Sequence, residues 1–129
     1  MQREVILTHD PIDEGALVRS RSVSTVDGAV ITFLGVVRDR EGGGLIRGLH
    51  YTAHEPMARH QFGLLMDALA ARWPVHSVRL VHRLGPVLAG EASLWVEVFA
   101  PHRGEAFAAC QWLIDEMKKV VPIWKATIA

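Results

Sequence analysis

Two pairs of strand-like runs in this chain are joined by connections too short to hold a crossover helix, and this limits its possible folds more than any other feature. Residues 29–37 form a nearly continuous β-branched run after Gly28, followed by the charged turn Arg38-Asp39-Arg40-Glu41 and the flexible Gly42-Gly43-Gly44. Leu45 to Ala53 then alternates as a returning strand. A second pair, Ser77 to Leu84 and Ala92 to Ala100, is separated only by the turn residues Gly85-Pro86 and Gly90-Glu91. Parallel neighbours need a connection of about a dozen residues or more, so these pairs are expected to be antiparallel.

The rest of the chain fits the same plan. Glu4–Thr8 reads as a short strand, and Asp10-Pro11 with Asp13 as the capped start of a helix over residues 11–21. Glu55-Pro56 opens a second helix, in which Ala58, Phe62, Leu65, Leu69 and Trp73 recur at intervals of three or four before Pro74 stops it. A third runs from Pro101 to Val121. The order β-α-β-β-α-β-β-α predicts an α+β fold, a single domain over residues 1–129 with three main helices and a mostly antiparallel sheet. The β-branched run at 29–37 is expected at the centre of that sheet, buried on both faces.

Composition narrows the function. At 129 residues, half of them hydrophobic, the chain can bury a core without disulfides or metal. Fourteen basic residues balance fourteen acidic ones, which gives no support to a nucleic-acid or membrane partner, so any electrostatic function must be local. The lone Cys110 suits a reducing compartment, and no apolar run nears the roughly 18 residues of a membrane span. With no signal-peptide pattern at Met1-Gln2-Arg3-Glu4, a cytoplasmic protein is expected.

The chemistry-bearing residues cluster on the last helix. Phe107, Cys110, Ile114, Met117 and Val121 step by three and four into one apolar stripe. Relative to Ile114, Lys118 lies about 40° round the helix and Lys119 about 140°, so Lys118 borders the stripe and Lys119 faces water. Trp112 and Leu113 fall off the stripe, which calls for a second packing surface such as another subunit. Pro122 ends the helix and sends Ile123-Trp124-Lys125 away as an extended segment, from which Lys125 can return toward Lys118. Spacing leaves two readings open: lysines that complement the helix dipole, or a pair whose proximity favours a reactive neutral amine.

At the other end of that helix, Pro101-His102-Arg103 puts cations in a first turn without a Ser, Thr, Asp or Asn cap. Either an anion site forms there, with Arg38 as a further candidate member, or Glu105 merely offsets the dipole and pairs with Arg103. His50, His54 and His60 have no partners at zinc-like spacing, and Cys110 lies in the core stripe, so neither a metal nor a cofactor is expected. Hydrolase motifs are absent.

Gly28 to Arg38, Gly85 with Gly90-Glu91-Ala92, Ala100-Pro101-His102-Arg103, Ala106-Phe107 and Pro122-Ile123-Trp124-Lys125 together resemble the MoaE family, the large catalytic subunits of molybdopterin synthase. The resemblance runs in order from about Asp10 to Lys125. It implies an α/β-hammerhead fold and a homodimer within a heterotetramer. It also implies a sulfurtransferase that forms the dithiolene of molybdopterin on cyclic pyranopterin monophosphate. The sulfur would come from the C-terminal Gly-Gly thiocarboxylate of a small ubiquitin-like carrier subunit. By the same resemblance Lys118 and Lys125 are the catalytic pair, Arg38, His102 and Arg103 bind anionic groups, and Phe33 lines the pocket. Relatives often carry Glu and Tyr where Thr52 and His54 stand, and often extend beyond the four residues after Lys125. The rival reading is a non-catalytic module that docks a ubiquitin-like tail or another anionic ligand.

Overall fold

The computed structural model describes residues 1–129. In chain order the elements are β1 (Gln2–Thr8), α1 (Glu14–Arg19), β2 (Ala29–Val36), β3 (Arg40–Glu41), β4 (Gly44–Leu45), β5 (Gly48–Ala53), α2 (Glu55–Arg72), β6 (Ser77–Arg83), β7 (Gly85–Leu88), β8 (Ala92–Ala100), α3 (Arg103–Val120) and β9 (Ile123–Ile128). The class is α+β, with antiparallel pairing everywhere except between β1 and β6. That parallel pair joins strands far apart in sequence, and the intervening chain supplies the long connection that parallel pairing requires.

Four strands make the main sheet in the order β1-β6-β8-β2. The expectation that residues 29–37 lie at its centre is wrong: β2 is an edge strand, and Phe33, Leu34 and Val36 are more than a third exposed. The central strand is β8, buried from Ser93 to Ala100. A continuous apolar run shows that a strand has two apolar faces, but not whether its own chain covers both. Here α3 packs over the face carrying Ala29 and Ile31, while the other face and the free edge stay open.

The returning strand also differs from expectation. β3 and β4 form a small hairpin whose turn, Gly42-Gly43, takes φ values of 60° and 84° that favour glycine. β5 then leaves the main sheet to pair with β7 and β9 in a three-stranded sheet ordered β7-β5-β9. The Gly85-Pro86 turn therefore belongs to a strand, and the segment after Pro122 is one as well.

Helices α2 and α3 cover one face of the main sheet. From β6 and β8, Val78, Leu80, Leu94, Val96, Val98 and Ala100 meet Phe62, Met66 and Leu69 of α2 and Leu113, Ile114 and Met117 of α3. Each large side chain so buried contributes about 1.5–3 kcal/mol of transfer free energy. The α3 stripe is Ala106, Ala109, Cys110, Leu113, Ile114 and Met117, and Phe107 stands outside it, 59% exposed. Phe107 lies about 90° from the centre of that stripe, by the 100° step of an α-helix. Leu113 is core, and Trp112 packs edge-on against Trp73, ring centroids 5.8 Å apart, with the Arg72 guanidinium over its ring. The second surface of α3 is thus α2 of the same chain.

The opposite face of the sheet is held by charge. Glu97, almost fully buried, accepts hydrogen bonds from Arg21 Nε at 2.7 Å and from Arg79 Nε at 2.6 Å and Nη2 at 3.0 Å. Arg79 Nη2 also donates to the Leu17 carbonyl of α1, and its guanidinium lies over the Trp95 ring. Hydrogen bonding to Glu97 raises the Arg79 pKa above its ordinary value, with burial opposing. Helix α1 is shorter than the predicted 11–21, and its cap is Asp13, whose Oδ1 accepts from Ala16 N at 3.0 Å. Asp10 instead sits in a turn, its N–H donating to Thr8 Oγ1.

Candidate functional site

A cavity of about 550 Å³ opens where the four-stranded and three-stranded sheets meet the C-terminal end of α3. Its volume is within the range of small-molecule sites. Gly35, Leu94 and His82 form its floor, a row of register partners across β2, β8 and β6. The floor owes depth to Gly35, where an added Cβ would lie 3.3 Å from both Leu94 Cβ and Phe33 Cε1. Ile114, Met117 and Lys118 reach it from α3, and Leu49, Tyr51 and Lys125 from the three-stranded sheet.

Lys118 and Lys125 arrive from different elements. The helix ends at Val121-Pro122, and Ile123 starts β9, which runs antiparallel to β5 with Lys125 directly opposite Tyr51. Pairing to β5 thereby turns the second lysine back toward the first. Lys125 Nζ lies 3.4 Å from Glu41 Oε1, an ion pair about half exposed on the lysine side. Lys118 has no carboxylate within ion-pair distance, whereas Lys119 points away and meets Glu116 at 3.6 Å. Arg38, just beyond β2, and Phe33 complete the predicted residues that line the cavity.

His102 and Arg103 do not line it within this chain. They sit at the first turn of α3, and 15 residues of helix separate Arg103 from Lys118, about 22 Å at 1.5 Å per residue. His102 makes no side-chain cap bond, its ring contacts Glu105 Oε1 at 3.4 Å, and it is largely exposed. The partner of Glu105 is therefore His102 rather than Arg103.

Four polar residues of the cavity have no predicted role: Glu41, Tyr51, His82 and Ser93. Glu41 is hidden in a charged turn, where acids are ordinarily solvated. His82 does leave a signal, because it shares the parity of Val78 and Leu80 and so places a polar ring in a row of core residues. Its Nδ1 lies 2.8 Å from the Arg83 carbonyl oxygen, which can only accept, so Nδ1 carries the proton. The ring meets that of Tyr51 edge-on, centroids 5.0 Å apart. Burial lowers the His82 pKa, opposed by the Arg83 hydrogen bond, and the imidazole is neutral at physiological pH.

A cavity with three cations and a largely apolar lining suits an anionic, partly aromatic ligand. No group of three or more His, Cys, Asp or Glu side chains is arranged to hold a metal. The family model described as MoaE protein matches residues 7–120. The chain belongs to the MoaE family. Among relatives, the molybdopterin synthase catalytic subunit of Pyrococcus abyssi is 38% identical over 128 residues, covering 97% of this chain and 85% of that protein. The catalytic subunit of Arabidopsis thaliana is 40% identical over 101 residues, 78% of this chain, but the match spans only 51% of that longer protein. The crystal structure of molybdopterin synthase from Staphylococcus aureus superposes with a TM-score of 0.84 at 31% identity, covering 97% of this chain and 89% of that one. This MoaE-family chain has no helix long and apolar enough to cross a membrane.

Proposed function

We propose that this chain is a molybdopterin synthase catalytic subunit. It transfers sulfur from the C-terminal thiocarboxylate of a small ubiquitin-like carrier to cyclic pyranopterin monophosphate. The observation that carries the reading is the convergence of Lys118, Lys125 and Arg38 on one cavity with a largely apolar lining. A thiocarboxylate and a phosphate are both anions, and fixed cations in a partly water-excluding cavity attract both and bring them together.

The lysines divide the work. Lys118, bordering the apolar end of α3 and free of a carboxylate partner, acts on the reacting centre as base or nucleophile. Lys125, paired with Glu41 until an anion displaces it, holds substrate and balances charge. Net delivery of each sulfur breaks the carbon–sulfur bond of the tail. The acyl carbon takes an oxygen from water and the tail leaves as a carboxylate, while the pyranopterin carbon that gains the sulfur gives up its bond to an oxygen substituent. Arg38 binds the phosphate, and Phe33 packs beside the ring system. His102 and Arg103 serve the same anions only if a second copy of the chain brings the start of its α3 to this cavity. The open edge of β2, beside the cavity, is compatible with such a homodimer.

The test is Lys118→Ala. The variant is expected to bind the thiocarboxylated carrier normally and to convert pyranopterin at under about 1% of the wild-type rate, the scale of losing a positioned acid–base group. Near-normal conversion removes the proposed role of Lys118. A wild-type chain that binds the carrier tail but never transfers sulfur favours a non-catalytic docking module.

A further inference from the structure

Arg38, Lys118 and Lys125 give the cavity donors in abundance, and none of the three can accept a hydrogen bond. A pterin ring system carries several N–H donors of its own, so cations alone leave its heterocycle unread. The side-chain acceptors lining the cavity are few. Glu41 meets Lys125 in a partly exposed ion pair, Ser93 Oγ is turned toward the Gly35 carbonyl at 3.5 Å, and the Tyr51 hydroxyl can rotate between donating and accepting. His82 differs from all three in being a fixed acceptor. Its Nδ1–H is committed to the Arg83 carbonyl, so its lone pair must lie on Nε2, which has no protein partner and is not sealed from the cavity.

We infer that His82 is a substrate-recognition residue whose Nε2 accepts a hydrogen bond from a ring N–H of the pterin. This rests on the proposed pyranopterin substrate. The geometry is fixed at three points: the Arg83 carbonyl sets the tautomer, the edge contact with Tyr51 sets the ring plane, and the register with Leu94 places the ring on the floor. Val78 and Leu80, on the same face of β6, are apolar core residues, so the imidazole is the one polar side chain in that row. The charged or titratable groups sharing the cavity with it are Lys118 of α3, Lys125 of β9, Tyr51 of β5, Glu41 of β3 and Arg38. Three fixed cations against one carboxylate disfavour an imidazolium and act in the same direction as burial.

The experiment measures equilibrium binding of cyclic pyranopterin monophosphate to wild type, His82→Leu and His82→Gln, each first shown to be folded by thermal unfolding. Glutamine puts an uncharged acceptor near the position of Nε2 and cannot titrate. At about pH 7.5, His82→Leu is expected to bind roughly tenfold more weakly, the scale of one buried hydrogen bond, and His82→Gln within about threefold of wild type. As pH falls below the ordinary histidine range, Nε2 is protonated and the acceptor is lost, so wild type weakens relative to His82→Gln. Titration of the ligand phosphate affects both proteins and cancels in that comparison. Leucine binding within twofold of wild type overturns the inference, as does an identical acid profile for wild type and glutamine. A folded wild type with no affinity for the pyranopterin overturns the functional reading, and the assignment of His82 with it.

Discussion

Replacing Glu97 with glutamine tests whether the charged layer beneath the main sheet is a mainstay of the fold. The side chain is 1% exposed and accepts three short hydrogen bonds from two guanidinium groups. Glutamine keeps the shape but removes the charge and turns an amide N–H₂ toward donors. Breaking a buried ion pair from one side costs about 3–5 kcal/mol. Arg79 and Arg21 retain side-chain exposures of 17% and 24% and can be partly rehydrated, so the lower end applies, about 3 kcal/mol. For a chain of this length that is roughly a 10 °C fall in melting temperature. Calorimetry or urea unfolding reads the change directly. Lys119→Ala is the internal control, since its exposed pair with Glu116 contributes no more than about 0.5 kcal/mol. A Glu97→Gln protein within about 0.5 kcal/mol of wild type would refute the reasoning, because the two arginines would then be as well solvated without the carboxylate as with it.

Glu41→Gln frees Lys125 from a partly exposed pair worth at most about 0.5 kcal/mol, so the KM for the pyranopterin should fall about twofold in steady-state assays; an unchanged or higher KM contradicts the displacement described for Lys125. Burial pushes the Cys110 thiol from 9.0 up to about 11, and a higher pKa means less thiolate at any given pH. At pH 8, iodoacetamide should therefore modify the native chain about a hundredfold more slowly than the urea-unfolded chain, and equal rates would show the thiol to be accessible. At Gly48, an added Cβ would press on the Val87 carbonyl and lie 2.8 Å from Leu88 Cα, both backbone atoms of β7. Gly48→Ala should destabilise by about 1–3 kcal/mol in denaturant titrations, and a neutral effect would mean that β5 and β7 separate without penalty.

The fold class was legible because short connections restrict strand pairing and because prolines 74 and 122 punctuate the helices. The same local signals do not report which strand lies beside which. The apolar run of β2 describes its two faces, yet whether its neighbours belong to this chain is a tertiary fact. Phe107 shows a related limit: it fits a three-and-four spacing, but so do Ala106 and Ala109, whose small side chains let α3 approach the sheet more closely. In the cavity, helical phase separated Lys118 from Lys119, and the break at Pro122 foretold that Lys125 lies on a separate extended segment. The return of that strand to β5 depends on long-range pairing that no spacing encodes. His82 went unread because strand parity becomes informative only when the buried face is known.

The unpaired edge of β2 bears on how the chain can be handled in the laboratory. A row of free backbone donors and acceptors flanked by Phe33, Leu34 and Val36 is a ready template for uncontrolled strand addition. The isolated chain should thus lose solubility as its concentration rises, while co-expression with whatever covers that edge should raise the yield of dispersed protein. A lysine in place of Leu34, which faces away from the main core, is the corresponding gatekeeper substitution for producing a chain that stays in solution alone.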